Sequence, residues 1–148
     1  MRHELPGGFE LDDDRSRVDV DAVHAFISRE SYWGRGRPRE RVQRTVDGST
    51  RVVGLYDGNR QIGFARAVSD GVTVAYLADV YVLPAYRGRG LGLALIGEIV
   101  EGGEGDWSEV RLLLHTADDQ GLYRNIGFAE GLPTYRLMVR GRRYDGRR

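Results

Sequence analysis

The sequence predicts an α/β (α+β) fold built on a mixed, mostly antiparallel sheet of about six to seven strands, with helices on both faces. Two hairpin turn signals, at residues 57–59 and 70–71, join three apolar strands into an antiparallel meander. A helical segment separates the third of these strands from the next one, and such a crossover implies parallel pairing. A chain of 148 residues amounts to about one domain, so we expect a single domain over residues 1–148.

Two helices are predicted ahead of the meander, after a short strand at residues 9–12. Asp19 has the chemistry of an N-cap for the first helix, which runs to about residue 29, and Pro38 can open a second, shorter helix. Residues 31–38, SYWGRGRP, fit no regular element. The apolar residues at helical spacing are Val20, Val23 and Ile27 in the first helix and Val42 and Val46 in the second.

The meander consists of strands at about residues 52–56, 62–68 and 72–82. A helix from Gly90 ends at residues 101–103, where glycine can adopt the left-handed cap. Residues 110–115 are expected to form a buried strand, because three leucines run together there. A short helix at residues 120–125 and a last strand at residues 132–139 follow, and residues 140–148 form a basic tail.

Composition excludes several classes of function. The formal net charge is zero, so no overall field draws the chain to nucleic acid or to a membrane surface. No run approaches the roughly 18 apolar residues of a membrane span, and residues 1–14 do not resemble a signal peptide. We therefore expect a cytoplasmic protein with no nucleic-acid or membrane partner.

Missing residue types narrow the chemistry further. The chain has no cysteine, and all 22 of its basic residues are arginine. Disulfides, thiolate nucleophiles, Schiff-base lysines and the lysine of a P-loop are thus excluded. Its three histidines are not in a metal-binding spacing, so no metal site is expected.

A glycine-rich basic turn connects the long strand to the helix that follows it. The first N–H groups of a helix carry the positive end of the helix dipole, and glycines let a phosphate come close to the backbone. The alternative is a tight connection with two surface arginines, to which three alternating glycines are poorly suited. The turn, RGRGLG, consists of Arg87, Gly88, Arg89, Gly90, Leu91 and Gly92.

A dinucleotide-binding G-x-G-x-x-G motif does not fit this turn. Its third glycine would fall at residue 93 or 95, and both positions are leucine. The turn also follows a hairpin meander, whereas the dinucleotide motif opens a βαβ unit.

Two segments together resemble the signatures of the GNAT superfamily of N-acetyltransferases. Arg87-x-x-Gly90-x-Gly92 resembles the R/Q-x-x-G-x-G/A motif, which in that family binds the pyrophosphate of acetyl-coenzyme A (acetyl-CoA). Residues 122–128, LYRNIGF, resemble the second signature, L-Y-x-x-x-G-F. The resemblance covers residues 50–140 well and implies a GNAT-like acyl-CoA N-acyltransferase fold. The SYWGRGRP segment is similar to one in small bacterial members.

The resemblance implies an acetyl-CoA site. The backbone of residues 87–92 would hold the pyrophosphate, and Arg87 and Arg89 would add charge-assisted hydrogen bonds. The backbone of Val80, Tyr81 and Val82 would lie along the pantetheine arm, with the N–H of Val82 facing the thioester oxygen. Tyr123 would lie near the sulfur and act as general acid, since a phenol with a pKa near 10 stays protonated at neutral pH. Thr116 stands where many members have an asparagine, so that asparagine's contact is not carried over.

The general base and the acceptor site stay open. Asp79 lies inside an otherwise apolar strand and is either the base or the partner of an arginine. His115, Glu30 and water are the other candidates for the base. Tyr32 and Trp33 either wall the acceptor pocket or pack on the sheet.

Three functions are in competition. The first is transfer of an acetyl group from acetyl-CoA to a primary amine of a small molecule, by direct attack in a ternary complex. The second is the same transfer to a protein or peptide, and the third is an acyl-CoA-binding module without turnover. The acceptor's identity and the use of other acyl groups stay open. The oligomeric state also stays open; dimers are common in the family, and the last strand and the tail could support a homodimer.

Overall fold

A computed structural model describes residues 1–118, 120–131 and 134–141, and within them it contains one six-stranded sheet. The strands follow chain order across the sheet, and each pair is antiparallel except β5 and β6, which are parallel. The predicted mixed, mostly antiparallel sheet is therefore confirmed. The strands are β1 (Arg2–Leu5), β2 (Phe9–Asp12), β3 (Arg51–Asp57), β4 (Arg60–Ser69), β5 (Val74–Val82) and β6 (Arg111–Leu113).

The helices cover both faces of the sheet, as the sequence predicts. The side chain of Asp19 caps the first helix by accepting a hydrogen bond from the N–H of Ala22 at 3.0 Å. Pro38 directly precedes the second helix. The helices are α1 (Val20–Arg29), α2 (Arg39–Gly48), α3 (Leu91–Glu101) and α4 (Gln120–Arg124).

Two apolar cores hold the layers together. On one face α3 packs Leu95, Ile96 and Ile99 against the sheet, and all three are fully buried. On the other face the inner residues of α1 and α2 pack against Phe64 and Tyr81. Because side chains alternate along a strand, β3 to β5 contribute residues to both cores and form the centre of the fold.

The far end of α3 is anchored by a buried arginine, Arg51. Its guanidinium donates to the carbonyls of Ile99, Glu104 and Gly105 at 2.9–3.2 Å. It also stacks on Trp107, with Cζ 3.4 Å from the ring centroid. A cation here satisfies the unpaired carbonyls at the negative end of the helix dipole, which fixes α3 relative to β3.

Strand β1 has no counterpart among the strands predicted from the sequence. Its residues alternate between exposed and half-buried and carry little apolar signal. The signal that was available is the turn of residues 6–8, in which Gly7 and Gly8 both have positive φ, +88° and +81°. This turn pairs Leu5 with Phe9 and extends the antiparallel part of the sheet by one hairpin.

The predicted C-terminal strand is wrong where the structure describes it. Residues 134–141 contain no strand, and the side chains of Tyr135, Leu137 and Met138 are exposed. The first two residues of the prediction, 132 and 133, and the tail beyond 141 lie outside the described residues. Tyrosine and valine favour a strand locally, but here no strand of the described sheet pairs with them.

The strand predicted at residues 110–115 is real but shorter, Arg111–Leu113, and only one of its faces is covered. Leu112 and Leu114 pack toward α3, whereas Leu113 is 46% exposed. The layer of α1 and α2 packs on β3 to β5 and leaves this face of β6 open.

No helix in the described part of the chain is long and apolar enough to cross a membrane.

Candidate active site

The outer edge of β5 is open over most of its length. Parallel pairing with β6 covers only Val74–Tyr76, so within the described residues no strand lies beside residues 77–82. The carbonyl of Val82 accepts a hydrogen bond from Nε of Arg87 at 2.9 Å, and the next N–H, that of Leu83, bonds to Ile62 on the opposite side. Backbone groups alternate along a strand, so the N–H of Val82 faces the open edge.

Strand β5 contains a β-bulge next to its open edge. Arg66 pairs with Ala78 and Phe64 pairs with Tyr81, so Asp79 and Val80 together oppose a single residue of β4. Asp79 has a φ of +53° and is the one non-glycine residue in the left-handed region among those described. Such a conformation costs about 1–3 kcal/mol and persists only where neighbouring contacts hold it.

Three side-chain hydrogen bonds hold Asp79. Its Oδ1 accepts from the indole Nε1 of Trp33 at 2.7 Å, and its Oδ2 accepts from Nη1 of Arg37 at 2.8 Å and Nε of Arg66 at 2.7 Å. Burial alone would raise the pKa of the Asp79 carboxyl, but the charges of Arg66 and Arg37 outweigh it, and the pKa lies below its ordinary value of 3.8. Of the two roles that the sequence left open for Asp79, the arginine partner is the one that these contacts support.

The glycine turn leads directly into α3. Gly88 and Gly90 both have a φ of +77°, and Gly90 is the N-cap of the helix. A Cβ at either position would meet no atom within 4 Å, so glycine is needed for its conformation and leaves open space above the backbone. The first N–H groups of α3 have no partner within the helix, which gives this turn the character of an anion site. Arg87 ties the turn to the end of β5, and Arg89 lies over the ring of Tyr86.

One cavity of about 840 Å³ connects the parts of the site. It reaches from the glycine turn along residues 76–82 to the segment between α1 and α2, and α4 contributes Tyr123 to its wall. Tyr123 is partly buried against the α3 core, and its ring meets that of Phe128 edge to face at 5.9 Å. The structure thus brings Tyr123 and the predicted cofactor residues, apart from Arg89, to a single cavity.

Tyr32 and Trp33 line the other end of this cavity. Their rings meet edge to face at 5.0 Å, and Trp33 also contacts Phe26. The hydroxyl of Tyr32 accepts a hydrogen bond from the N–H of Ala117 at 2.8 Å. This bond links the segment before α2 to the loop between β6 and α4, so two walls of the cavity are joined.

The remaining candidates for a base also lie at this cavity. His115 places Nδ1 2.6 Å from the hydroxyl of Tyr76, and both residues line the cavity. Glu30, the C-cap of α1, lines it as well. The site residues predicted from the sequence did not include Tyr76, Arg37 or Arg66. Their positions at the site depend on the register of β5 and on contacts between residues 13 and 42 positions apart in the sequence. No local signal distinguishes Arg37 and Arg66 from the other arginines, because the chain has 22 of them.

A family model and a solved structure that are similar to this chain both belong to the same family. Residues 48–130 match the family model described as an acetyltransferase (GNAT) domain. The chain is 36% identical to a crystal structure from Xanthomonas campestris pv. campestris described as belonging to the GNAT family, with a TM-score of 0.82 over 90% of this chain and 92% of that one.

Two plant relatives are also similar to this chain. Serotonin N-acetyltransferase 2, chloroplastic, from Oryza sativa subsp. japonica is 33% identical over 82% of this chain, and histone acetyltransferase TAP1 from Glycine max is 35% identical over 75%. The chain spans only 62% and 52% of the lengths of these two relatives.

Replacing the buried carboxylate, Asp79→Asn, is expected to lower the free energy of unfolding at pH 7 by about 3 kcal/mol, because two guanidinium groups lose their counter-charge. The folded-state pKa of Asp79 lies below the unfolded value. Its stabilisation is therefore present above pH ~4 and is lost as the pH falls through the folded-state pKa. Denaturant unfolding of both proteins from pH 7 to pH 3 measures this difference.

The matched control for Asp79 is Asp47→Asn, at an exposed carboxylate that accepts a bond from Gln43 on the same helix. It should change the free energy of unfolding by no more than about 0.5 kcal/mol. Equal stabilities of wild type and Asp79→Asn at pH 7, or a difference that does not shrink in acid, would contradict the role given to this carboxylate.

Proposed function

The chain belongs to the GNAT family of acetyltransferases, and from this premise we propose that it transfers the acetyl group of acetyl-CoA to a primary amine of a small molecule. The observation that carries the proposal is the single cavity that joins the glycine turn, the open edge of β5 and Tyr123. This supports the proposal, because acetyl transfer from acetyl-CoA needs a phosphate site, a backbone donor and a proton donor along one path.

The glycine turn fits the pyrophosphate of coenzyme A. Open space above Gly88 and Gly90 lets a phosphate approach, and the first N–H groups of α3 supply donors. Arg89 adds a positive charge beside the turn. Bound there, acetyl-CoA supplies an activated acetyl thioester. Residues 80–82 would hold the pantetheine arm along the open edge of β5.

The chain's own groups then have separate roles. The N–H of Val82 stabilises negative charge that develops on the carbonyl oxygen of the acetyl group, as a preorganised backbone dipole. The hydroxyl of Tyr123 donates a proton to the departing thiolate. Asp79 is a positioning residue, because both of its oxygens are occupied by donors and its carboxylate holds the bulge from which Val82 extends. Proton removal from the incoming ammonium falls to His115, Glu30 or water.

The contact between Tyr32 and Ala117 favours a small acceptor. It joins two walls of the cavity at the end remote from the glycine turn, which leaves less room for a folded protein surface than an open groove would. The two plant relatives divide over this point, since one is named for serotonin and the other for histone. A panel of small amines tested beside lysine peptides, with release of free thiol as the readout, separates the two acceptors. Faster turnover of the peptides would overturn the small-molecule proposal.

The substitution Gly90→Glu is expected to weaken binding of acetyl-CoA by at least about tenfold, because it strains the left-handed N-cap and sets a negative charge where the phosphates bind. Titration calorimetry measures the dissociation constant. The control Gly97→Glu places the same charge about 10 Å further along the same helix, where salt screens most of its effect. Equal binding by wild type and Gly90→Glu would refute the proposed phosphate site.

The substitution Tyr123→Phe removes the phenol hydroxyl and should lower kcat by about 100-fold, because a general acid contributes on that scale. Binding of coenzyme A should be retained. Steady-state thiol release and calorimetry on the same preparation separate the two effects. Tyr135→Phe, at an exposed tyrosine, serves as the control. A Tyr123→Phe protein with wild-type kcat would remove Tyr123 from the mechanism. Tight coenzyme A binding by the wild type without turnover of any amine would favour a binding module.

A further inference from the structure

Two arginines at the acceptor end of the cavity share one carboxylate oxygen. Nη1 of Arg37 and Nε of Arg66 both donate to Oδ2 of Asp79. With one carboxylate against two guanidinium groups, this cluster carries a net charge of +1. One arginine, together with the indole of Trp33, is enough to neutralise Asp79 and occupy both of its oxygens.

Most of the donors of the two guanidinium groups remain available. A guanidinium has five N–H donors. Among the described residues, the guanidinium of Arg37 donates a hydrogen bond to Asp79 alone. The guanidinium of Arg66 donates to Asp79 and, at 3.5 Å, to the hydroxyl of Ser49. Both side chains line the cavity, and the exposed fraction is 19% for the side chain of Arg37 and 14% for that of Arg66.

The excess charge is only partly exposed to water. Partial burial of a cation costs free energy unless an anion or several acceptors compensate it. Paired guanidinium groups match carboxylate and phosphate oxygens in both charge and geometry. Glu30, an exposed carboxylate with no partner among the described residues, lines the same cavity and carries a charge that would attract an ammonium group.

We propose that Arg37 and Arg66 bind an anionic group of the acceptor, so that the substrate is a small amine that also carries a carboxylate or a phosphate. This inference rests on the proposed acetyl transfer. It makes the two arginines specificity-determining residues and excludes simple amines without an anionic group as good substrates.

Matched acceptor pairs test the inference. Each pair shares an amine and differs in the anion: ethanolamine and phosphoethanolamine, butylamine and 4-aminobutyrate, benzylamine and 4-(aminomethyl)benzoate. For at least one pair we expect kcat/KM of the wild type to favour the anionic member by about tenfold or more, as one or two charge-assisted hydrogen bonds predict. The phosphate and carboxylate arms show which anion is preferred.

Variants at residue 37 separate recognition from general damage. Arg37→Gln should reduce the ratio of anionic to neutral kcat/KM to near unity, and Arg37→Lys, which keeps the charge, should retain part of it. A ratio within one variant cancels any overall loss of activity caused by a weakened Asp79 cluster. Arg35→Gln removes an exposed arginine of the same segment and should leave the ratio unchanged.

Each outcome decides the inference separately from the proposed function. Turnover of amines with no anionic preference in any pair, or a preference that survives Arg37→Gln, overturns the inference and leaves acetyl transfer standing. If no amine is turned over, the proposed function fails, and calorimetry with the same pairs on the coenzyme A complex decides the arginine site alone. Tighter binding of an anionic member in the wild type than in Arg37→Gln supports it, and equal or undetectable binding overturns it.

Discussion

The carboxylate of Asp79 is the contact on which the geometry of the cavity depends. It sits on a left-handed residue inside β5, and its three donors come from the segment before α2 and from β4. Without those donors a buried negative charge and a strained backbone would both be unfavourable at this point. The interaction fixes at the same time the bulge in β5 and the segment before α2 that lines the cavity. A change at either of these parts is therefore expected to reach the other.

The glycine turn and α3 form the second fixed element. Arg87 ties the turn to the carbonyl of Val82, and Arg51 anchors the opposite end of the helix. The helix itself packs Leu95 and Ile96 into the larger core. The glycine turn and the open edge of β5 are therefore held at a fixed separation, as a ligand that spans both would require.

Local signals in the sequence predicted much of this arrangement, and long-range contacts account for what they did not predict. Positive-φ glycines, the Asp19 cap and the hairpin turns act over a few residues, so the turn, the helices and the meander could be recognised. The partners of Asp79 lie 13 and 42 residues away and depend on strand register, which composition does not reveal. At residues 132–139, by contrast, a local signal predicted a strand that the described residues do not form. Its β-propensity was evident, but pairing depends on a neighbouring strand, and residues 134–139 have none in the described sheet.

A crystal structure with coenzyme A bound tests most directly whether the bulge held by Asp79 prepares the open edge of β5 for the cofactor. We expect the pyrophosphate on the N–H groups of residues 88–92, the pantetheine along residues 80–82, and the sulfur between Val82 and Tyr123. The contacts of Asp79 with Trp33, Arg37 and Arg66 should persist. A cofactor bound away from this edge, or a β5 whose bulge is lost when coenzyme A binds, would contradict that role.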